Sequence, residues 1–556
     1  MTYKKLKFLL PLIVIHAVAI AQTWQDTTAM LDKIVSRYGD SIPSGQLAIS
    51  RNGTVIYSVA RGMANLEYSV PLRKDSKIEA GSVSKQFIAA CILLLEQQGK
   101  LLLSDDIRKY IPELPDYGYP IKIEQLMHHT SGLRDWIPLQ YLAGWLSWTR
   151  VIDNNDIIDV VSRQKTLNNK PGDEFIYSNS NYCLLATIIE RTSKMTVNTF
   201  STKFIFVPAG MEHTEWRHDY KTIVPGRATA YSKKGNTYFT DMPTENVYGH
   251  AGLLTTAEDL LRWNNYYFSG KLGSPSLLPK QIAISRLNNG KINAYGAGLR
   301  IDSINGYSCI NHRGLTAGYR ASIEYFPQLG LSIAWISNNS QSDLSNMQPG
   351  VFNIPSAVQN LLVRNIAATF VIKTDSTLAP ATFASFMGAY RDNNTAQGFQ
   401  LAIKGNDIYN TTSSIILKPV NGRTLAMGQQ LLVFTSVSPR KAALISPAGD
   451  TTSYLGTDTA LINEKDGRQY SGTYYSDELN STVVISGRDN RLMIWFTPHI
   501  ETVLIPVYKD GFRFRIEFGS VAPSFSMYFE RDTKNNITGF IVNEQRIKKI
   551  RFSRKK

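Results

Sequence analysis

Apolar and polar residues form two strand-like runs near the start of the chain, within GQLAISRNGTVIYSVARG (45–62). Asn52-Gly53 joins them, and both residues tolerate positive φ, so the pattern predicts a β-hairpin. A short amphipathic helical pattern at about 25–38 precedes the pair. Further on, EAGSVSKQF leads into IAACILLLEQQGK, an apolar helical run that opens at Ser82 and stops near Gly99. The middle of the chain, roughly 100–300, mixes helical patterns with long loops rich in Tyr, Asn and Gly. Within it, TTAEDLLRW (255–263) carries a helix-start signature, with Thr255 and Glu258 as a capping box. Strand patterns return at YRASIEYFP (319–327) and LSIAWISN (331–338), and a helical segment follows at about 353–366. Strands at both ends with helices between them predict one sheet assembled from N- and C-terminal pieces, an α+β layered domain.

Beyond about residue 368 the pattern changes. ATFVIKTDSTLAP reads as a linker, 368–380, and after it come short alternating strands broken by Gly, Asn, Asp and Pro. A weak repeat is visible: FMGAYRDNNTAQGFQLAIKGND (386–407) matches YSGTYYSDELNSTVVISGRDN (470–490). Strands of this even size predict up-and-down barrels, in two all-β domains at 381–462 and 463–556. One barrel made of two halves is the alternative.

Composition narrows the class. Of 556 residues, 43% are hydrophobic and 19% charged, which excludes a disordered chain. The N-terminus has Lys4, Lys5 and Lys7, then an apolar stretch, then Ala19-Ile20-Ala21. This predicts a secretory signal over 1–21, cleaved after Ala21, and an exported protein, periplasmic or secreted. An uncleaved anchor is the alternative. The net charge is +15, part of it in the terminal RIKKIRFSRKK. That tail is either simply solvated or drawn to an acidic cell-envelope surface. No nucleic-acid motif is present, and export argues against that partner. Cys91, Cys183 and Cys309 are widely spaced among apolar residues and read as buried free thiols.

Three short stretches carry candidate chemistry. Ser82 stands three residues before Lys85 at the start of the buried helix, so a turn of helix puts both side chains on one face. Burial lowers an ammonium's pKa, and a neutral amine can then take a proton from the hydroxyl. The bland alternative is a capping serine with an exposed lysine. Tyr177-Ser178-Asn179 precedes a second apolar helix; the tyrosine can act as acid and base, and the asparagine can bind a carbonyl or orient a lysine. Alternatively, they are a packed ring and a helix cap. His312-Arg313-Gly314 enters a strand pattern that puts His312 and Gly314 on one face and Arg313 on the other. A glycine there admits a substrate backbone to the strand edge. A turn with a surface histidine is the alternative.

Taken together, SVSK, YSN and HRG stand in that order, 95 and then 135 residues apart. With MHHTSGL (127–133), FVPAGMEHT (206–214) and GHAGLLTTAEDLLRW (249–263), the chain resembles the serine β-lactamase-related family over about 25–365. Its class C β-lactamase, D-aminopeptidase and carboxylesterase branch is the most similar. The resemblance implies a β-lactamase/transpeptidase-like domain over 22–367, an antiparallel sheet flanked by helices with an all-helical part. It implies Ser82 as the acylated nucleophile, Lys85 as base, Tyr177 as proton shuttle and His312 as part of the catalytic set. Asn179 would contact the substrate amide, Gly314 the substrate, and the backbone N–H groups of Ser82 and Leu315 would form the oxyanion hole. One departure matters: relatives with Lys-Thr-Gly hold a substrate carboxylate where this chain has His312-Arg313-Gly314. The expected enzyme is therefore an exported serine hydrolase for esters, amides or D-amino-acid peptides, without cofactor or metal. A true β-lactamase or DD-peptidase, and a non-catalytic muropeptide-binding envelope protein, are the alternatives. No G-x-S-x-G or H-E-x-x-H is present, and His213, Glu215 and His218 lack a further ligand set. His128 and His129 read as structural. The sequence leaves the oligomeric state open.

Overall fold

The structure is a computed structural model. It describes residues 26–37, 39–145, 150–341, 354–363, 372–392, 394–395, 397–447, 449–458, 467–488, 491–497, 500–517 and 523–555. The expected signal segment 1–21, the first part of the expected linker and the expected boundary at 462/463 lie outside these residues.

Six antiparallel strands form the central sheet: β1 (Gly45–Arg51), β2 (Thr54–Arg61), β3 (Arg300–Ile304), β4 (Tyr307–Thr316), β5 (Tyr319–Phe326) and β6 (Leu331–Ser337). Their order is β3-β4-β5-β6-β1-β2, so β1 pairs with β6 across nearly the whole domain sequence, Ala48 opposite Ala334. The Asn52-Gly53 hairpin forms as expected, with φ of 50° and 80°. β1 and β6 look amphipathic in places yet are buried on both faces. Leu47, Ile49, Ile333 and Trp335 face the helix at 26–35 and the helix Ile354–Leu362. Ala48, Ala334 and Ile336 face the large core beneath the central helices.

That core is centred on the helix Lys85–Gln97, buried from Lys85 through Leu95. A helix apolar on every side belongs in the middle of a domain. The helices Asn179–Ser193 and Ala257–Phe268 pack around it. The sequence places the α-helix start at Ser82; instead a 3-10 turn, Gly81–Ser84, precedes it. The cap at the Ala257–Phe268 helix is one residue later than expected. Thr256 accepts from the Asp259 backbone N–H at 3.1 Å. Thr255 bonds Thr214, and Glu258 accepts from Ser58 Oγ at 2.6 Å.

The C-terminal region is two closed eight-stranded barrels, not one. The first runs from Gly388–Asp392 to Thr451–Thr457, the second from Gly472–Ser476 to Ile547–Arg554. The weak repeat marks the same place in each. Tyr390 donates to the Phe386 carbonyl at 2.7 Å, and Tyr474 to the Tyr470 carbonyl at 2.8 Å. Their aromatic residues fill the interiors. All three cysteines are buried and free. Among the described residues no helix is long and apolar enough to cross a membrane.

Candidate active site

Two glycines bring β4 onto the turn that carries Ser82. A Cβ on Gly314 would lie 1.9 Å from the Ala80 carbonyl oxygen and 3.1 Å from Ser82 N. Gly81 has φ of +51°, and a Cβ there would lie 2.6 Å from Leu315 N. Strand and turn therefore touch backbone to backbone, which only glycine allows. The expectation was that Gly314 admits substrate; its vacant side is filled by the Ser82 turn. The backbone amides of Ser82 and Leu315 stand along this seam. His312 and Gly314 are buried, while Arg313 and Leu315 point outward.

Ser82 is half-buried beside Lys85, which is fully buried. Lys85 Nζ donates to Asn179 Oδ1 at 2.9 Å and to the His250 carbonyl at 2.7 Å, and it lies 3.0 Å from Ser82 Oγ. Burial pulls this amine below the ordinary lysine value, opposed by the charge and hydrogen bond of Tyr177. A neutral amine has two N–H groups and one lone pair. Two partners can only accept, so the lone pair is left for a hydroxyl, that of Ser82 or of Tyr177.

Tyr177 packs against both Lys85 and His129. Its ring centroid is 4.9 Å from Lys85 Nζ and 4.2 Å from the His129 ring. His129 Nδ1 accepts the Ser178 backbone N–H at 3.2 Å, fixing the loop that presents the tyrosine. Burial, then the Lys85 charge, holds this imidazole neutral. Asn179 begins its helix and is oriented by Asp135, whose Oδ2 accepts from Asn179 Nδ2 at 2.9 Å. That bond settles the amide orientation, so Oδ1 faces Lys85. Asp135 is itself fully buried and caps the helix Trp136–Leu142 through Ile137 N. Its second cation-side partner comes from the far end of the chain: Arg546 Nη1 donates to Oδ2 at 3.1 Å.

His312 occupies a different position from that of a proton carrier. Nδ1 donates to the Arg313 carbonyl at 2.7 Å, so Nε2 accepts from Tyr295 Oη at 2.9 Å. Burial, then the nearby Lys85 charge, pushes the imidazole down to about 3. It is a neutral wall residue with both nitrogens engaged, 6.4 Å from the Tyr177 ring.

The structure thus brings Ser82, Lys85, Tyr177 and Asn179 into one cluster, with His312, Gly314 and Leu315 along its edge. The sequence reading missed Asp135, His250, Tyr295 and Arg546. His250 lay inside a quoted segment, and Asp135 stands two residues past another. Nothing local marks Tyr295; Arg546 opens the basic segment RIKKIRFSRKK, which is not a solvated tail but for the most part a strand of the second barrel, with Ile547, Ile550 and Phe552 buried.

The Beta-lactamase family model matches residues 31–349. Penicillin-binding protein 4* of Bacillus subtilis (strain 168) is 28% identical over 316 residues, 54% of this chain and 68% of that protein. D-aminopeptidase of Brucella anthropi is 24% identical over 522 residues, 90% of this chain and 93% of that protein, so the similarity runs through the barrels. The octameric penicillin-binding protein homologue from Pyrococcus abyssi superposes with a TM-score of 0.53 at 19% identity. It covers 85% of this chain and 98% of that one, a likeness of fold.

Proposed function

The chain belongs to the Beta-lactamase family, and from that premise we propose that it is a serine hydrolase acting through an acyl-enzyme on Ser82. What carries the reading is the fully buried Lys85 amine 3.0 Å from Ser82 Oγ, with Asn179 Oδ1 and the His250 carbonyl taking its N–H groups. Ser82 Oγ attacks the scissile carbonyl as its proton passes to Lys85 Nζ. The carbonyl oxygen becomes an oxyanion facing the Ser82 and Leu315 amides, where losing one donor costs roughly 10²–10³ in rate. Tyr177 passes a proton to the departing oxygen or nitrogen and takes one back from Lys85, and the tetrahedral centre collapses to the Ser82 ester. Water then attacks that ester, giving up a proton through Tyr177 and Lys85, and Ser82 leaves with a proton restored. Asn179 contacts the substrate amide while holding Lys85. His312 keeps Tyr295 in place and shapes the cleft.

The substrates are esters, amides or D-amino-acid peptides. The similarity to D-aminopeptidase of Brucella anthropi along both barrels supports the last of these. A neutral imidazole at His312 supplies no cation for a carboxylate on that strand, which disfavours an efficient β-lactamase or DD-peptidase. The leader pattern at 1–21 supports export.

The test is hydrolysis of 4-nitrophenyl acetate with intact mass followed in parallel. Wild type turns over and gains an acetyl group that Ser82→Ala lacks. Turnover and adduct that persist in Ser82→Ala would overturn the assignment. A chromogenic cephalosporin is expected to be cut far more slowly than the ester.

A further inference from the structure

The second barrel reaches into the cleft. The tip between its last two strands, Ile537–Glu544 and Ile547–Arg554, carries Arg546. Its guanidinium carbon lies 5.0 Å from the Tyr177 ring centroid, nearly the same distance as Lys85 Nζ at 4.9 Å. The tip is fixed in depth by backbone bonds on both sides: Asn168 Nδ2 donates to the Arg546 carbonyl at 2.9 Å, and Lys548 N donates to Asn168 Oδ1 at 2.7 Å. Lys548 pairs with Glu174 at 2.8 Å beside the Tyr177 loop. Arg546 N bonds Glu544 Oε2 at 2.7 Å, which stiffens the turn.

The placement leaves most of the guanidinium for something else. Five N–H donors are available on an arginine. Among the described residues one of them, on Nη1, goes to Asp135, and the side chain keeps 35% of its exposure. Asp135 meanwhile receives Asn179, Arg546 and the Ile137 amide, so its charge is well met. The neighbouring carboxylate Glu544 is pushed up by burial and spends an oxygen on backbone. On the opposite wall His312 is neutral. Arg546 is thus a permanently charged, partly open donor fork beside Tyr177 and Asn179, while on the sheet side Arg313 points outward and Arg300 lies near His312 and Tyr295.

We infer that Arg546 selects substrates bearing an anionic group, a carboxylate, on the acyl portion that lies along Asn179. This rests on the acyl-enzyme reading above. A bidentate or single charge-assisted bond from an arginine matches a carboxylate and is stronger than a neutral one. The specificity is supplied by a different domain from the one that holds the nucleophile.

The experiment uses the full chain and paired esters. Mono-4-nitrophenyl esters of dicarboxylic acids, glutarate through suberate, are compared with the neutral 4-nitrophenyl esters of equal length. The readout is the ratio of kcat/KM, acid over neutral, so that any general loss from disturbing Asp135 cancels. Wild type favours at least one acid over its neutral partner. In Arg546→Ala that preference falls about tenfold or more, the worth of one hydrogen bond to a charge. Arg546→Lys keeps part of it, and Arg546→Glu turns it against the acid. The preference also shrinks with added salt. The corresponding mono-amides are titrated onto Ser82→Ala by calorimetry with the same arginine variants, a readout that needs no turnover. No acid preference in wild type, or one untouched by Arg546→Ala and Arg546→Glu, overturns the inference. No turnover with an intact, Arg546-dependent binding preference overturns the acyl-enzyme reading and leaves this one standing.

Discussion

At the scale of single residues the proposed chemistry turns on Lys85, and its environment makes a signed prediction. The amine is fully buried, and burial lowers its hold on the proton relative to an ordinary lysine at 10.5. Its acceptors, Asn179 Oδ1 and the His250 carbonyl, suit N–H groups in either protonation state, so the lone pair forms without rearrangement. The folded protein therefore binds this proton more weakly than the unfolded chain does. Between the two pKa values the unfolded state carries more protons, and this group makes stability rise with pH. The rate follows the same proton. For a neutral ester, kcat/KM is expected to climb with pH and level off below 10.5, as the free amine becomes the dominant form. A pH–rate profile checks it; a limb still rising at 10.5 would mean that Lys85 is not the base. His312 adds no second limb near neutrality, because its imidazole is already neutral there.

Among the elements, the contact between β4 and the Gly81–Ser84 turn sets the cleft. The turn is short and 3-10, so it cannot shift along its own axis without moving Lys85, the first residue of the following helix. Adding one methyl at Gly314 drives carbon against the Ala80 carbonyl oxygen, 1.9 Å away, and neither backbone can yield cheaply. Gly314→Ala is expected to part the strand from the turn and cost about 10²–10³ in acylation rate, the size of a lost oxyanion donor. Far-ultraviolet circular dichroism should stay close to wild type, since the sheet pairs β4 to β5 through its backbone. Acylation within threefold of wild type would sink this account of the seam. The sequence made much of this legible, and the reason is local. Ser82 and Lys85 are three residues apart, Asn52-Gly53 writes its own turn, and the Lys85–Gln97 helix is apolar all round. What stayed hidden was the cap at Thr256, because adjacent threonines present the same signature, and the short turn before Lys85. Tyr295 was invisible for a related reason: it reaches His312 from a loop with no periodic pattern.

On the scale of the whole molecule, the candidate active site is lined from two domains, and no local pattern announces that. The repeat between 386–407 and 470–490 revealed two similar units, yet among the described residues it is the second barrel's tip that reaches the Ser82 cluster, through Arg546. One contact in the docking is a buried ion pair. Arg134 Nη1 meets Glu478 Oε1 at 2.8 Å, with side chains 1% and 10% exposed. The same Glu478 oxygen accepts Lys165 N at 2.8 Å, and Arg134 Nε donates to the Lys548 carbonyl at 3.1 Å. Arg134 and Glu478 are 344 positions apart, so charge pairing could not be read from spacing. Arg134 directly precedes Asp135, which makes the dock and the catalytic support one piece of chain. Removing the carboxylate strands a guanidinium with little access to water, a change that costs about 3–5 kcal/mol when a buried pair is broken. Glu478→Ala is therefore expected to lower the melting temperature and to speed amide exchange at 544–548, where the tip backbone is held by Asn168. Glu478→Gln, which keeps an acceptor for Lys165 N, should fall between the two. Exchange at 544–548 equal to wild type in Glu478→Ala would show that the tip is held by its own backbone bonds. Faster exchange, with a matching loss of turnover, would make the buried pair the hinge on which a distant barrel completes the site.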